Sequence, residues 1–194
     1  MNKLMQIVAV GITLTIIVSL GLIFDYTKNR RLYLLKKVMD TLLYILIFIF
    51  YAQYYQFFMI EGKMGGNIQY VFLIVSVIEC FFALKQIKIF REAKDFRYSK
   101  MTFISVIVEL IFGLTSIYFV IFMINPNWFS FDNAINNCYE LAFEFLYYTF
   151  SVTITYSGSG ITAIGIIPRV IQMIHILIFY IFAGDAILNY IKKE

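Results

Sequence analysis

Long apolar runs alternate with short polar segments along the whole chain. Runs close to the roughly 20 residues that span a hydrocarbon core occupy 4–24, 41–60, 64–84, 101–124 and 170–191. A sixth apolar run, 138–153, is too short to cross a bilayer. The pattern therefore predicts five transmembrane helices and one shorter helix that re-enters the membrane from one side.

Composition agrees with this pattern, because 61% of the residues are hydrophobic and only 14% are charged. Such a balance excludes an ordinary soluble domain and indicates an all-α integral membrane protein. Residues 1–24 have a second interpretation as a cleaved signal peptide with Lys3 as its basic start, although no small-x-small cleavage pattern precedes Asp25. The later spans are the same on either interpretation.

The basic residues predict the orientation, since positively charged loops stay in the cytoplasm. They fall between the first and second spans, between the third and fourth, and at the end: Lys28, Arg30, Arg31, Lys36, Lys37, Lys85, Lys88, Arg91, Lys94, Arg97, Lys100, Lys192 and Lys193. The connection 125–160 contains no Lys or Arg. We expect a multi-pass protein of the cell membrane, with the N-terminus outside and the C-terminus cytoplasmic.

The predicted extracellular connection 125–160 contains clear signals for the end of one helix and the start of the next. Asn125-Pro126-Asn127 ends the span 101–124, because proline lacks an amide hydrogen and restricts its predecessor. Residues 128–137 then form an exposed turret, with Asp132, Asn133, Asn136 and Asn137 as candidate caps for a helix beginning near Cys138. Glu140 lies early in that helix, where the dipole favours a carboxylate, and the far end carries partial negative charge that favours a cation.

The segment after this short helix reads Val152-Thr153-Ile154-Thr155-Tyr156-Ser157-Gly158-Ser159-Gly160. It resembles the selectivity filter of tetrameric potassium channels, whose pattern is Val-Ser/Thr-Met-Thr-Thr-Val-Gly-Tyr-Gly. Two glycines at this spacing are expected to adopt left-handed backbone angles that turn successive carbonyls toward a pore. In layout the resemblance covers about residues 101–191, and it is specific from Tyr147 to Gly160.

The resemblance implies a homotetramer that conducts monovalent cations, with potassium as the expected ion at the filter carbonyls and no other cofactor. It implies that the filter consists of Thr155, Tyr156, Ser157, Gly158, Ser159 and Gly160, supported from behind by Tyr147, Tyr148 and Thr153. Tyr156, Ser157, Ser159 and Ile161 depart from the family pattern. These departures predict weaker discrimination against sodium, and they leave open an alternative function as a non-conducting membrane partner or scaffold.

The last span contributes further candidates. Pro168-Arg169 would open the inner helix, with Gly184 as a possible bend and Asp185 either as a carboxylate ring at the inner mouth or as a cap near the cytoplasm. His175 is either a pH-sensitive cavity group or a packing residue. Two carboxyls inside predicted spans, Glu79 and Glu109, are either functional or protonated and packed between helices.

Residues 1–100 form a separate three-helix region ahead of the pore region 101–194. Its basic residues recur at every third position, namely Lys85, Lys88, Arg91, Lys94 and Arg97, and resemble the ladder of a voltage sensor, with Asp40 as a countercharge. The alternative is an amphipathic surface linker that contacts anionic lipid, because Glu92 and Asp95 interrupt the ladder.

Chemistry of other kinds has no support in the sequence. No nucleophile lies at a usable spacing from a base, and the chain has neither a Cys/His metal pattern nor a phosphate-binding glycine loop. We therefore expect no enzyme activity and no nucleic-acid partner, and membrane lipids as the surroundings.

Overall fold

A computed structural model describes residues 30–58, 68–92, 96–135, 137–156 and 158–191. The side chains described are those of 37–56, 69–85, 102–135, 137–156 and 158–188. The predicted first span, 4–24, lies outside this part of the chain, as do Lys94 and Ser157 and the side chains of Lys88, Arg91 and Arg97.

The described residues are mostly helical. The helices are α1 (Arg30–Phe58), α2 (Ile68–Glu92), α3 (Phe96–Ile124), α4 (Cys138–Thr153) and α5 (Ile166–Ile191). A short 3₁₀ turn, Pro126–Trp128, follows α3 and leads into the strand β1 (Phe129–Phe131), and β2 (Ile161–Ala163) precedes α5. The two strands are antiparallel, with Phe129 opposite Ala163 and Phe131 opposite Ile161.

Several predicted boundaries are confirmed. The short helix runs over 138–153 as predicted, and the helix before it ends at Ile124, directly ahead of Asn125-Pro126. Helices α1 and α2 extend beyond the apolar runs, so that the basic residues at their ends are helical. Strand β1 occupies the beginning of the predicted turret 128–137.

Three of the described helices are long and apolar enough to cross a membrane: Lys37–Gln56, Thr102–Ile124 and Ile166–Leu188. They differ in how deeply they lie in the protein. Within the chain 72% of the segment in α3 is buried, against 17% of the segment in α5. Helix α3 is therefore the centre of the packing, whereas α5 presents most of its apolar surface outward.

Aromatic rings and close backbone approach hold α1, α2 and α3 together. Phe48 of α1 packs edge to face on Phe119 of α3, with ring centroids 5.9 Å apart. Gly113 of α3 lies so close to α2 that an added Cβ would be 2.9 Å from Cys80 Sγ. This position therefore requires a residue without a side chain.

The contacts also bring the helix ends with basic residues to one side of the bundle. Near the start of α1, Thr41 Oγ1 lies 2.9 Å from Ser105 Oγ near the start of α3. Phe103 of α3 stacks on Phe182 near the end of α5 at 4.9 Å. Farther along α1, the Tyr44 hydroxyl donates to the carbonyl of Glu79 in α2, at 2.7 Å. The start of α1 and the ends of α2 and α5 thus lie together.

Candidate functional site: the α4 loop

The start of α4 is fixed by local hydrogen bonds. Asn137 has extended backbone angles, and its side-chain oxygen accepts from the N–H of Glu140 at 2.8 Å. This bond satisfies a donor that the first helical turn leaves unpaired, and Glu140 places a carboxylate at the positive end of the dipole. Of the four capping candidates, the structure thus assigns the role to Asn137.

The inner face of α4 packs against α3 and the strand β1. Phe145 is fully buried, with its ring centroid 5.4 Å from Phe122 of α3 and 5.2 Å from Phe129 of β1. Each aromatic pair of this kind contributes about 0.5–1.5 kcal/mol beyond its buried area. This cluster sets the distance between α4 and the C-terminal end of α3.

The two tyrosines predicted to support the loop have different surroundings. Tyr148 is 3% exposed and meets the ring of Tyr118 edge to face at 5.0 Å. Tyr147 is 39% exposed and lies on the outer face of α4 with Phe143 and Phe150. Within a single chain, only Tyr148 therefore packs behind the end of α4.

The far end of α4 is tied to α5 and α3 through His175, which is fully buried. Thr153 Oγ1 lies 3.0 Å from His175 Nε2, and the Tyr118 hydroxyl lies 3.2 Å from His175 Nδ1. His175 is nine residues after Ile166, the first residue of α5, which corresponds to about 14 Å along the helix axis. The end of α4 therefore lies beside the middle of α5 and about 14 Å from the first residue of that helix, measured along its axis.

The chain turns sharply after α4. The N–H of Thr155 donates to Val152 O at 3.1 Å, and the N–H of Tyr156 donates to Ser151 O at 2.8 Å. Thr155 has φ 55°, in the left-handed region, and no other non-glycine residue of the described chain has a positive φ. The prediction of a left-handed angle at Gly160 is wrong, because Gly160 does not fall in that region. The positive angle belongs to Thr155 instead, at the turn out of the helix.

The two glycines have separate steric surroundings. An added Cβ at Gly158 would lie 1.9 Å from Cε1 of Tyr156, whose ring covers that position. At Gly160 the nearest atom to an added Cβ is Glu144 Oε2, at 3.6 Å, which is ordinary contact. A side chain at Gly158 would therefore displace the exposed ring of Tyr156, whereas a side chain at Gly160 would make only ordinary contact.

The last part of the loop is pinned to the turret. The N–H of Asp132 donates to the carbonyl of Gly160 at 2.9 Å, directly after the β1 and β2 pairing. Ser159 Oγ donates to Ile161 O at 3.1 Å. One carbonyl of the predicted filter, that of Gly160, thus contacts the turret, and the side chain of Ser159 holds its own backbone.

A tight junction carries the chain from β2 into α5. The N–H groups of Ile164 and Gly165 both donate to Trp128 O, at 2.8 and 3.0 Å, and Arg169 Nε donates to Ala163 O at 3.0 Å. An added Cβ at Gly165 would lie 2.6 Å from Trp128 Cγ. This junction fixes the position at which the chain leaves the loop and enters the N-terminal end of α5.

The remaining predicted residues lie away from the loop. Gly184 is near the end of α5, with no atom within 4 Å of an added Cβ, and the neighbouring Asp185 is half-buried. Lys85 is exposed on α2, and Asp40 is half-buried on α1.

Two buried carboxyls differ in their partners. Glu109 accepts from Ser105 Oγ at 2.5 Å and from Thr41 Oγ1 at 3.4 Å, between α1 and α3. Glu79 is 8% exposed, and neither of its carboxyl oxygens has a hydrogen-bond partner among the described residues. An ionised group in such surroundings is costly, which favours the neutral form of Glu79.

The part of the chain that the structure describes contains no group of three His, Cys, Asp or Glu side chains that could hold a metal ion. Sequence reasoning missed the bonds of Tyr118 and Thr153 to His175 and the contact of Trp128 with Gly165. None of these three pairs has a spacing signal, since the partners are distant in sequence and meet only through the packing of the helices and the pairing of β1 with β2.

Comparison with known proteins adds no relative. No family model, no curated protein and no solved structure matches this chain.

Proposed function

We propose that this chain is one subunit of a homotetrameric membrane channel that conducts monovalent cations, with potassium as the expected ion. The observation that carries the proposal is the depth of the loop. Helix α4 ends beside His175, about 14 Å along α5, and the chain returns through 154–160 to β2 at the outer end of α5. A path that goes in by a short helix and out by an irregular segment is the one we would expect of a re-entrant pore loop, and it supports the proposal.

The physics of the bilayer supports the same conclusion. Irregular backbone is tolerated at membrane depth only where protein or water satisfies its polar groups. Thr155, Tyr156 and Gly158 are exposed in the single chain, beside the outward apolar surface of α5. Neighbouring copies around a shared aqueous axis would satisfy both surfaces, and four loops would supply the carbonyl rings that replace the ion's hydration shell.

The dipole of α4 adds a favourable field. Its positive end is capped at Asn137, and its negative end points to the start of the loop at Thr155. Partial negative charge from four such helix ends stabilises a cation below the filter. The basic ends of α1 and α2 would then lie on the cytoplasmic side, where anionic lipid is available.

The proposal is tested by reconstitution of the purified full chain. Native mass measurement in detergent should give a tetramer, and liposomes containing the protein should release potassium faster than empty liposomes. Reversal potentials in mixed potassium and sodium should show a preference for potassium that is smaller than in channels with Val-Gly-Tyr-Gly. A tetramer without flux at any voltage, tension or anionic-lipid content would favour a non-conducting scaffold, and a monomer would overturn the channel.

A further inference from the structure

His175 has both ring nitrogens in hydrogen bonds to other helices, and its surroundings define the tautomer. Thr153 Oγ1 donates its single hydrogen to the carbonyl of Thr149 at 2.9 Å. At the 3.0 Å contact with His175, the oxygen of Thr153 can therefore only accept. The ring hydrogen consequently lies on Nε2, and Nδ1 is the acceptor of the Tyr118 hydroxyl.

The same chain of bonds disfavours a charged imidazole. A doubly protonated ring would direct a second N–H at Tyr118, whose hydroxyl would have to accept and then find another acceptor for its own hydrogen. Among the described residues, the hydroxyl of Tyr118 has no hydrogen bond other than the one to His175. A polar group left unpaired in a buried site costs free energy, so this network favours the neutral ring.

The network joins three helices at one level. Tyr118 belongs to α3, Thr153 is the last residue of α4, and His175 belongs to α5. Thr155, with its left-handed φ, follows Thr153 by two residues. A displacement of Thr153 along α5 would therefore move the start of the loop by a similar amount, because only a tight turn lies between them.

We propose that His175 is a positioning residue that fixes the depth of the end of α4, and with it the first carbonyls of the loop, through its bonds to Thr153 and Tyr118. This inference rests on the proposed channel function for its effect on ions, whereas the hydrogen bonds themselves do not depend on that function. The role is mechanical and concerns alignment, because His175 is fully buried within the chain.

A spectroscopic test is available because the chain contains a single histidine. The full chain, carrying a purification tag without histidine and labelled with nitrogen-15 at histidine, should give one pair of ring signals. We expect the Nε2–H tautomer. Tyr118→Phe should shift the Nδ1 signal, and Thr153→Val should shift the Nε2 signal or change the tautomer. An Nδ1–H tautomer in the wild type, or no response to either variant, would overturn the network.

The functional test compares the same variants in liposomes. Thr149→Val is the matched control, because Thr149 is buried in the same helix and its hydroxyl makes the same bond to the carbonyl four residues earlier, to Phe145. Loss of one buried hydrogen bond predicts an about fivefold lower potassium flux per tetramer for Thr153→Val and for Tyr118→Phe. Both should also reduce the permeability ratio of potassium to sodium, whereas Thr149→Val should retain it.

The outcomes separate the two proposals. Flux and selectivity equal to those of the Thr149→Val control would overturn the positioning role. Absence of flux from the wild type in every condition would overturn the channel and the role of His175 in conduction. The nitrogen signals would still confirm or overturn the hydrogen-bond network in that case.

Discussion

Gly165→Ala tests the junction that returns the loop to α5. The new methyl carbon would lie 2.6 Å from Trp128 Cγ and 2.8 Å from its Cβ. Rotation of the side chain can move Cγ, but Cβ cannot move away unless the backbone of the 3₁₀ turn also moves. The same glycine donates its N–H to Trp128 O at 3.0 Å, so a shift that relieves the overlap also weakens this bond. Overpacking of this kind costs about 1–3 kcal/mol.

The magnitude can be measured with the protein's only tryptophan. Thermal unfolding in detergent micelles, followed by Trp128 fluorescence, should show a lower midpoint for Gly165→Ala. A shift of roughly 2–4 °C per kcal/mol is typical of a chain of this size. The emission of the folded variant should also change, because the indole is displaced.

Gly184→Ala in α5 is the matched control. No atom lies within 4 Å of its added Cβ, and alanine is favoured over glycine in a helix interior by about 1 kcal/mol. We expect an equal or higher midpoint and unchanged emission. The reasoning would be refuted if Gly165→Ala melted together with the wild type, or if both variants lost the same stability.

Three further predictions concern other parts of the chain. Gly113→Ala should reduce the free energy of unfolding by about 1–3 kcal/mol and so lower the unfolding midpoint relative to the α5 control, because its Cβ would approach Cys80 Sγ to 2.9 Å; an unchanged midpoint would show that the helices separate without cost. Gly158→Ala should lower potassium flux without preventing tetramer assembly, because the added Cβ would displace the ring of Tyr156, whereas Gly160→Ala, with 3.6 Å to its nearest atom, should retain flux; equal flux in the two variants would contradict the steric argument. Lys85→Gln combined with Lys88→Gln should leave the slope of the conductance–voltage curve unchanged, because Lys85 is exposed at the end of the apolar run; a clear loss of steepness would instead identify a voltage sensor.

The helices were predictable from the sequence because their signals are local. Asn137 and Glu140 mark the start of α4, Pro126 marks the stop after α3, and the apolar runs have the lengths that helices in a bilayer require. Pro168-Arg169 was predicted to open the last helix, and α5 begins two residues earlier, at Ile166, with Pro168 in its first turn as expected.

The ribbon and the His175 network were not predictable in this way. Strands β1 and β2 have three residues each, too few for an alternating pattern, and their pairing joins residues that are 30 or more positions apart. The bond between Tyr118 and His175 joins residues 57 positions apart. Such contacts follow from the packing of whole helices, which no local spacing in one sequence reveals.

Hydrogen bonds anchor the loop at both ends. These anchors change the effect on selectivity that we expect from the residues that differ from the potassium-channel pattern. At its start the loop is held by the hydrogen bond between Thr153 and His175. At its end it is held by the hydrogen bond from the N–H of Asp132 to the carbonyl of Gly160. Ser159 replaces a large aromatic residue, yet its hydroxyl bonds to the backbone at Ile161 and so restrains the segment locally. If selectivity depends on rigidity, the anchors at the two ends should therefore affect the potassium preference more than the serine side chains between them. Variants of Thr153 would then lower the permeability ratio further than Ser159→Ala, and the reverse order would show that the middle of the loop controls selectivity.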